Sequence, residues 1–271
     1  MIKVWKNTST LNGYDQGLFF TKDKSKADII LSGSKKVNLD GFTKLKGIFR
    51  AGVGKDNLPL EQAKSKNIVV RFPKDQTINI IFEETSNFAC NLIFRMIYNE
   101  AGELDNWVKN DRTFLGNLNL LVIGMGNIGS KVYNKMNNFM NVNSFDIISN
   151  TSTELNDLIK ISDCISIHIP NNPENKNFFN EDKFNLMKEN AILINTARGD
   201  IVNENDLYDF IEKGKIRAAF DVFWDEPYNG KLKKFHPNLF YMTPHISSTC
   251  KDFLYGCRED LDSLIKEISN D

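Results

Sequence analysis

The chain has 271 residues, enough for two compact domains rather than one minimal core. It is 41% hydrophobic and 25% charged, the make-up of a globular protein, and Lys+Arg 34 against Asp+Glu 35 leaves a formal net charge of -1. Such balance gives no overall field to gather nucleic acid or anionic lipid, and no apolar run approaches the roughly 20 residues a membrane helix needs.

In chain order, the first part alternates short apolar runs with helical periodicity. Residues 2–5, 29–31, 47–53 and 68–72 read as strands, with a helix over 58–66 between the last two. Residues 77–100 read as one long helix, followed by a polar stretch over 103–112 that contains Trp107. The N-terminus runs straight into the first strand pattern without a signal-peptide core. A second block then opens. Strands are expected over 118–123, 142–146, 164–169, 191–195, 218–223 and 239–242. Helices are expected over 130–139, 154–160, 184–187, 203–213 and 252–268, the last closing the chain. Strands separated by helices imply parallel pairing, so the fold class is α/β, with a doubly wound second block. We expect a cleft between the two domains, where ligands usually sit.

Cys90, Cys164, Cys250 and Cys257 have neither CxxC spacing nor histidine partners. Neither a metal site nor a disulfide framework is expected, and the protein reads as cytoplasmic with reduced thiols.

The segment Gly124-Met125-Gly126-Asn127-Ile128-Gly129 follows an apolar strand and opens a helix. In that context the pattern is a phosphate turn. Gly124 permits the bend, Gly126 lets a pyrophosphate approach, Gly129 lets helix and strand pack, and the helix start offers free N–H groups. Asp146 ends the next strand about twenty residues on, where a carboxylate accepts from an adenosine ribose and repels a 2′-phosphate. Ile147 and Ile148 follow, with no base beside them. The expected cofactor is NAD rather than NADP. A helix-capping role is the alternative for Asp146.

Further motifs follow in order: Ser162-Asp163-Cys164-Ile165-Ser166-Ile167-His168-Ile169-Pro170, then Leu193-Ile194-Asn195-Thr196-Ala197-Arg198-Gly199. Asp221-Val222-Phe223-Trp224-Asp225-Glu226-Pro227 and Thr243-Pro244-His245-Ile246 complete the set, and Arg50-Ala51-Gly52-Val53-Gly54 stands in the first domain. Together these resemble the D-isomer-specific 2-hydroxyacid dehydrogenase family over nearly the whole chain. The resemblance implies a flavodoxin-like substrate domain (1–88 with 247–271) and a doubly wound, Rossmann-type NAD-binding domain (89–246). It places a catalytic trio on Arg198, Glu226 and His245. The cofactor set would be Gly124, Gly126, Asn127, Ile128, Gly129, Asp146, His168, Pro170, Thr196, Ala197 and Asp221. The substrate set would be Arg50, Val53, Gly54, Arg198 and His245.

The trio also makes chemical sense. Arginine's planar fork suits the carboxylate of a 2-oxo acid, a histidine can hand a proton to the carbonyl oxygen, and a carboxylate beside it favours the imidazolium. His168 reads as structural and His236 as loop. The resemblance therefore implies hydride transfer between NAD(H) and the alpha carbon of a small 2-hydroxy/2-oxo acid. Arg50 looks like the phosphoglycerate dehydrogenase subgroup and favours a substrate with a second negative charge, such as 3-phosphoglycerate, beside glyoxylate or hydroxypyruvate. A cleft-edge ion pair is as fair a reading of Arg50.

The runner-up is a non-enzymatic NAD-binding, corepressor-like protein, against which the intact trio argues. Phe82-Glu83 departs from the family's small residue before Glu. The first domain looks short, and the chain ends soon after its last helix, so a regulatory domain and serine feedback through it are not expected. The resemblance also suggests a homodimer through the nucleotide domain and residues 103–114, with Trp107 and Phe114 supplying apolar contact.

Overall fold

The computed structural model describes residues 1–99 and 102–270. The chain divides into two compact units, Met1–Phe82 with Ser248–Asp271, and Glu83–Ser247.

The first unit is built on β1 (Lys3–Lys6), β2 (Phe19–Phe20), β3 (Ile29–Ser32), β4 (Gly47–Arg50), α1 (Leu60–Ser65) and β5 (Val69–Arg71). All strands pair in parallel in the order β2-β1-β3-β4-β5, the flavodoxin-like arrangement. Strand alternation sends Ile30 and Ile48 to one face, where Ala63 of α1 packs, and Val4, Ile29, Leu31 and Phe49 to the other. The chain's last helix covers that second face with Phe253, Cys257, Leu261, Leu264 and Ile268. It lies close because Gly47 puts no side chain under Ile268.

The long helix α2 (Asp75–Ile97) serves both units in turn: Ile81 belongs to the first core, and Ala89, Leu92, Ile93 and Met96 to the second. The expected end of this helix at Glu100 lies outside the described residues. In the first unit Asp260, buried, accepts from the amide of Lys74 (2.9 Å), a free backbone donor where α2 begins, and from the hydroxyl of Thr77 (3.0 Å). The unit boundary falls six residues before the expected one. Glu83 starts the second unit's ties, bridging Lys131 (2.8 Å) and Lys135 (2.6 Å).

A short antiparallel ribbon follows, β6 (Gly102–Glu103) and β7 (Val108–Lys109), where only a polar stretch was expected. The second sheet comprises β8 (Asn119–Ile123), β9 (Asn141–Phe145), β10 (Cys164–Ile167), β11 (Ala191–Asn195), β12 (Ile216–Phe220) and β13 (Phe240–Met242). Its strands are parallel in the order β13-β12-β11-β10-β8-β9. The helices are α3 (Gly129–Met136), α4 (Ser152–Ile161), α5 (Glu181–Leu186) and α6 (Glu204–Glu212), and α7 (Lys251–Asn270) returns to the first unit. Leu120, Val122, Ile192 and Ile194 face α2 and α3, whereas Leu121, Ile123, Leu193 and Phe220 face α4, α5 and α6. Both faces are covered, which is why these strands read as continuous apolar runs. The winding direction reverses between β8 and β10, and there the glycine turn lies. No helix among the described residues is long and apolar enough to cross a membrane.

Candidate active site

The glycine turn is shaped by what its neighbours leave room for. Gly124 has φ +95°, and a Cβ on it would stand 2.8 Å from the carbonyl oxygen of His168. A Cβ on Gly129 would overlap the carbonyl oxygen of Gly124. Gly126 is different, since a Cβ there would meet nothing within 4 Å. The start of α3 has no side-chain cap, and among the described residues the amides of Asn127 and Ile128 reach no backbone carbonyl. These are the donors and the space a pyrophosphate uses.

Asp146 follows β9 and ties the turn to the next loop, accepting from Met125 N (2.8 Å) and Ile148 N (3.0 Å). Its carboxylate still has lone pairs for a ribose hydroxyl. Ile147 and Ile148 beside it are exposed. His168 follows β10. Its amide donates to Ile123 O (2.7 Å), and its Nε2 pairs with the Ser166 hydroxyl at 2.8 Å. Burial pushes its pKa down to about 4, so the ring is neutral near pH 7 and suited to a wall. Pro170, exposed, closes that strand end by accepting from Asn175. Thr196, beyond β11, is buried and its hydroxyl has no hydrogen-bond partner. An orphaned hydroxyl costs about 1–3 kcal/mol, so this group fits a site completed by a polar ligand. The turn, Asp146 and Thr196 thus suit a dinucleotide.

The loop after β11 is stiffened by Asn195, which accepts from Ala197 N (2.9 Å) and donates to Arg198 O (2.8 Å). The Arg198 guanidinium donates to Ala197 O (2.7 Å). Gly199 then lies flat on the backbone of Phe223 and Trp224, which any Cβ would overlap. This contact docks the Arg198 loop on the one that carries Glu226. Trp224 fastens the same pair of loops by donating to Val202 O at 2.7 Å, so its ring packs rather than being left for a ligand. Glu226 accepts from Phe223 N (3.2 Å), and both its oxygens stand 2.9 Å from His245 Nδ1. Both side chains are about one quarter exposed. With Nδ1 held by the carboxylate, Nε2 is the nitrogen left for chemistry.

His245 has φ +54°, an uncommon backbone for a non-glycine residue. The buried Asp221 carboxylate accepts from the Thr243 hydroxyl (2.6 Å), Ile246 N (2.8 Å) and Ser247 N (2.8 Å). Thr243 stands in a quoted motif but was given no role, and Ser247 was not singled out from the sequence. Their partner lies 22 and 26 residues away.

In the first unit, the turn after β4 has Gly52 at φ +142°. Arg50 is buried; its Nη1 donates to Ala51 O (2.6 Å) and its Nε to Asn57 Oδ1 (3.3 Å). Asn57 in turn donates to Gly33 O and Lys35 O. Among the described residues the amides of Val53 and Gly54 reach no backbone carbonyl, so two donors are available to an anion.

Residues 96–247 match the model of the D-isomer specific 2-hydroxyacid dehydrogenase, NAD binding domain. The chain is 34% identical over 217 residues to the D-3-phosphoglycerate dehydrogenase of Methanocaldococcus jannaschii, covering 73% of this chain and 41% of that protein. It is 30% identical over 240 residues to the hydroxypyruvate reductase of Thermotoga maritima, covering 83% of this chain and 75% of that one. The fold matches the crystal structure of D-lactate dehydrogenase from Aquifex aeolicus complexed with NAD and lactic acid, with TM-score 0.76 and 24% identity over 99% of this chain and 95% of that one. The chain therefore belongs to the D-isomer specific 2-hydroxyacid dehydrogenase family. Its second unit contains the family's NAD-binding domain, and its match to the Methanocaldococcus protein spans less than half of that protein's length.

Proposed function

We propose that the chain catalyses hydride transfer between NAD(H) and the alpha carbon of a small 2-hydroxy/2-oxo acid. The observation that supports this most is the pairing of Glu226 with His245 Nδ1, in a unit where Gly199 fastens the Arg198 loop to the Glu226 loop. When bound at the glycine turn, NADH supplies the hydride to the carbonyl carbon. Arg198 holds the substrate carboxylate with its two-pronged guanidinium. His245 donates the proton from Nε2 to the carbonyl oxygen, and Glu226 stabilises the imidazolium before that transfer. In the opposite direction His245 takes the hydroxyl proton. Separately, the first unit offers an anion the amides of Val53 and Gly54. Asp146 accepts from the adenosine ribose and disfavours a 2′-phosphate, so NADH is preferred to NADPH. Thr196, Ala197, His168 and Pro170 belong to the cofactor's surroundings.

The substrate is drawn from the small acids, with glyoxylate, hydroxypyruvate and phosphohydroxypyruvate first. The test is NADH oxidation over these, pyruvate and larger oxo acids, repeated with NADPH. Turnover of at least one, faster with NADH, is expected; NADH binding with no turnover on any would reject the enzymatic reading.

We also place the protein in the cytoplasm as a homodimer. Leu104, Trp107 and Phe114 are each at least three-quarters exposed on and beside the β6–β7 ribbon. A lone two-stranded ribbon is marginal in water, and a second copy would cover it. Light scattering at a monomer mass would refute the dimer.

A further inference from the structure

We infer that Asp221 is a positioning residue that sets His245 against Glu226, in addition to whatever it offers the cofactor. The inference rests on the reading of His245 as the proton donor. His245 adopts φ +54°, a conformation an L side chain leaves when nothing holds it. Its own amide donates to Thr243 O at 3.0 Å, and one carboxylate holds the residues on both sides of it. Asp221 Oδ1 takes the Thr243 hydroxyl at 2.6 Å and the Ile246 amide at 2.8 Å, and Oδ2 takes the Ser247 amide at 2.8 Å. The three donors straddle His245, one before it and two after. Asp221 is fully buried, and Thr243 and Ser247 nearly so, so water does not compete for these bonds. The carboxylate sits just past β12, a strand paired on both sides, while the acid sits on the loop after the edge strand β13. Asp221 thereby transfers the sheet's rigidity to a strained loop. Without it the backbone of His245 relaxes, and Nδ1 leaves the two Glu226 oxygens that it meets at 2.9 Å.

Three of the carboxylate's four or so acceptor positions are spent on the loop, which separates this role from direct cofactor binding. Asp221→Asn keeps the shape but presents an amide N–H to a backbone donor. The expected result is a fall in kcat of about 10- to 100-fold, well beyond any weakening of NADH, whose Kd is read by fluorescence titration. In a His245→Asn background the same change should have no further effect on kcat, because the residue acts through the one already removed. Weakening of NADH by the full factor lost from kcat/KM, or losses that multiply in the double variant, would overturn the inference.

If Asp221→Asn does not fold, Thr243→Val removes a single donor and should cost a few-fold in kcat, again only where His245 is present. Wild-type kcat in that variant rejects the idea. The positional claim can also be read without turnover. Asp221→Asn should shift the His245 ring nitrogen resonances, and unmoved resonances refute it. Wild-type enzyme inert on every oxo acid would instead sink the functional reading.

Discussion

Both sheets end in a glycine turn, and the two turns use their glycines differently. After β4, Gly52 makes way for the protein's own guanidinium: a Cβ there would stand 2.5 Å from Nη1 of Arg50, which lies folded beneath the turn. After β8, Gly126 makes way for nothing in the chain, and its surroundings are open. A glycine can thus be required by an internal side chain or by a guest. The buried charged groups serve different ends as well. In the first unit Arg50 and Asp260 close on neighbouring backbone, and in the second Asp221 braces a reactive loop. Each unit also holds one unsatisfied buried oxygen, Asn7 Oδ1 in the first and the Thr196 hydroxyl in the second.

If the contrast is right, lesions in the second unit should strike rate and cofactor affinity, and lesions in the first should strike stability. The largest effect belongs to His245→Asn, expected to lower kcat by about 10²–10⁴-fold at unchanged melting temperature. Wild-type turnover would remove His245 from the reaction. Next comes Gly52→Ala. Its φ of +142° strains any side chain, and denaturant titration should show a loss of about 1–3 kcal/mol with NADH affinity intact. A stable variant would mean Arg50 can move aside.

Gly126→Ala inverts that pattern. Stability should stay near wild type while NADH binds about tenfold more weakly, about 1.4 kcal/mol; unchanged affinity would show that no phosphate passes there. The smallest effect is expected at Glu83→Gln, about 0.5 kcal/mol for a half-exposed pair of ion bridges. The two lysine ammoniums hold the Glu83 carboxyl down to about 2, below its ordinary value near 4.5. The unfolded chain therefore takes up this proton first on acidification. The contribution is complete above about pH 4.5 and fades toward pH 2. The variant should lack that acid-side loss when urea midpoints are compared across pH, and high salt should erase the difference.

Much of the architecture was legible because both sheets are parallel and covered, so their strands stand out as apolar runs bounded by glycines and polar turns. The edge strand Phe19–Phe20 was not, since two residues carry no periodicity, and the β6–β7 ribbon was hidden in polar sequence. Two strands were read three residues too far. The run over 47–53 stops at Arg50 because the backbone turns at Gly52, and that over 218–223 stops at Phe220 because Asp221 turns toward the His245 loop. In the site, the glycines and the Arg198, Glu226 and His245 motifs were visible as patterns. The bonds from Asp221 to Thr243, Ile246 and Ser247 were not, because only the pairing of β12 with β13 brings those stretches together.

The first unit is assembled from the two ends of the chain. Phe253, Leu261, Leu264 and Ile268 of α7 cover a sheet face whose strands β1, β3 and β4 are synthesised more than two hundred residues earlier. On the ribosome that face must wait, with Val4, Ile29, Leu31 and Phe49 uncovered, until the final helix emerges. The continuous stretch after it can complete its own core in the meantime. The early strands of the first unit are therefore covered only once α7 has been made, and a chaperone that shields nascent apolar strands would find its target there.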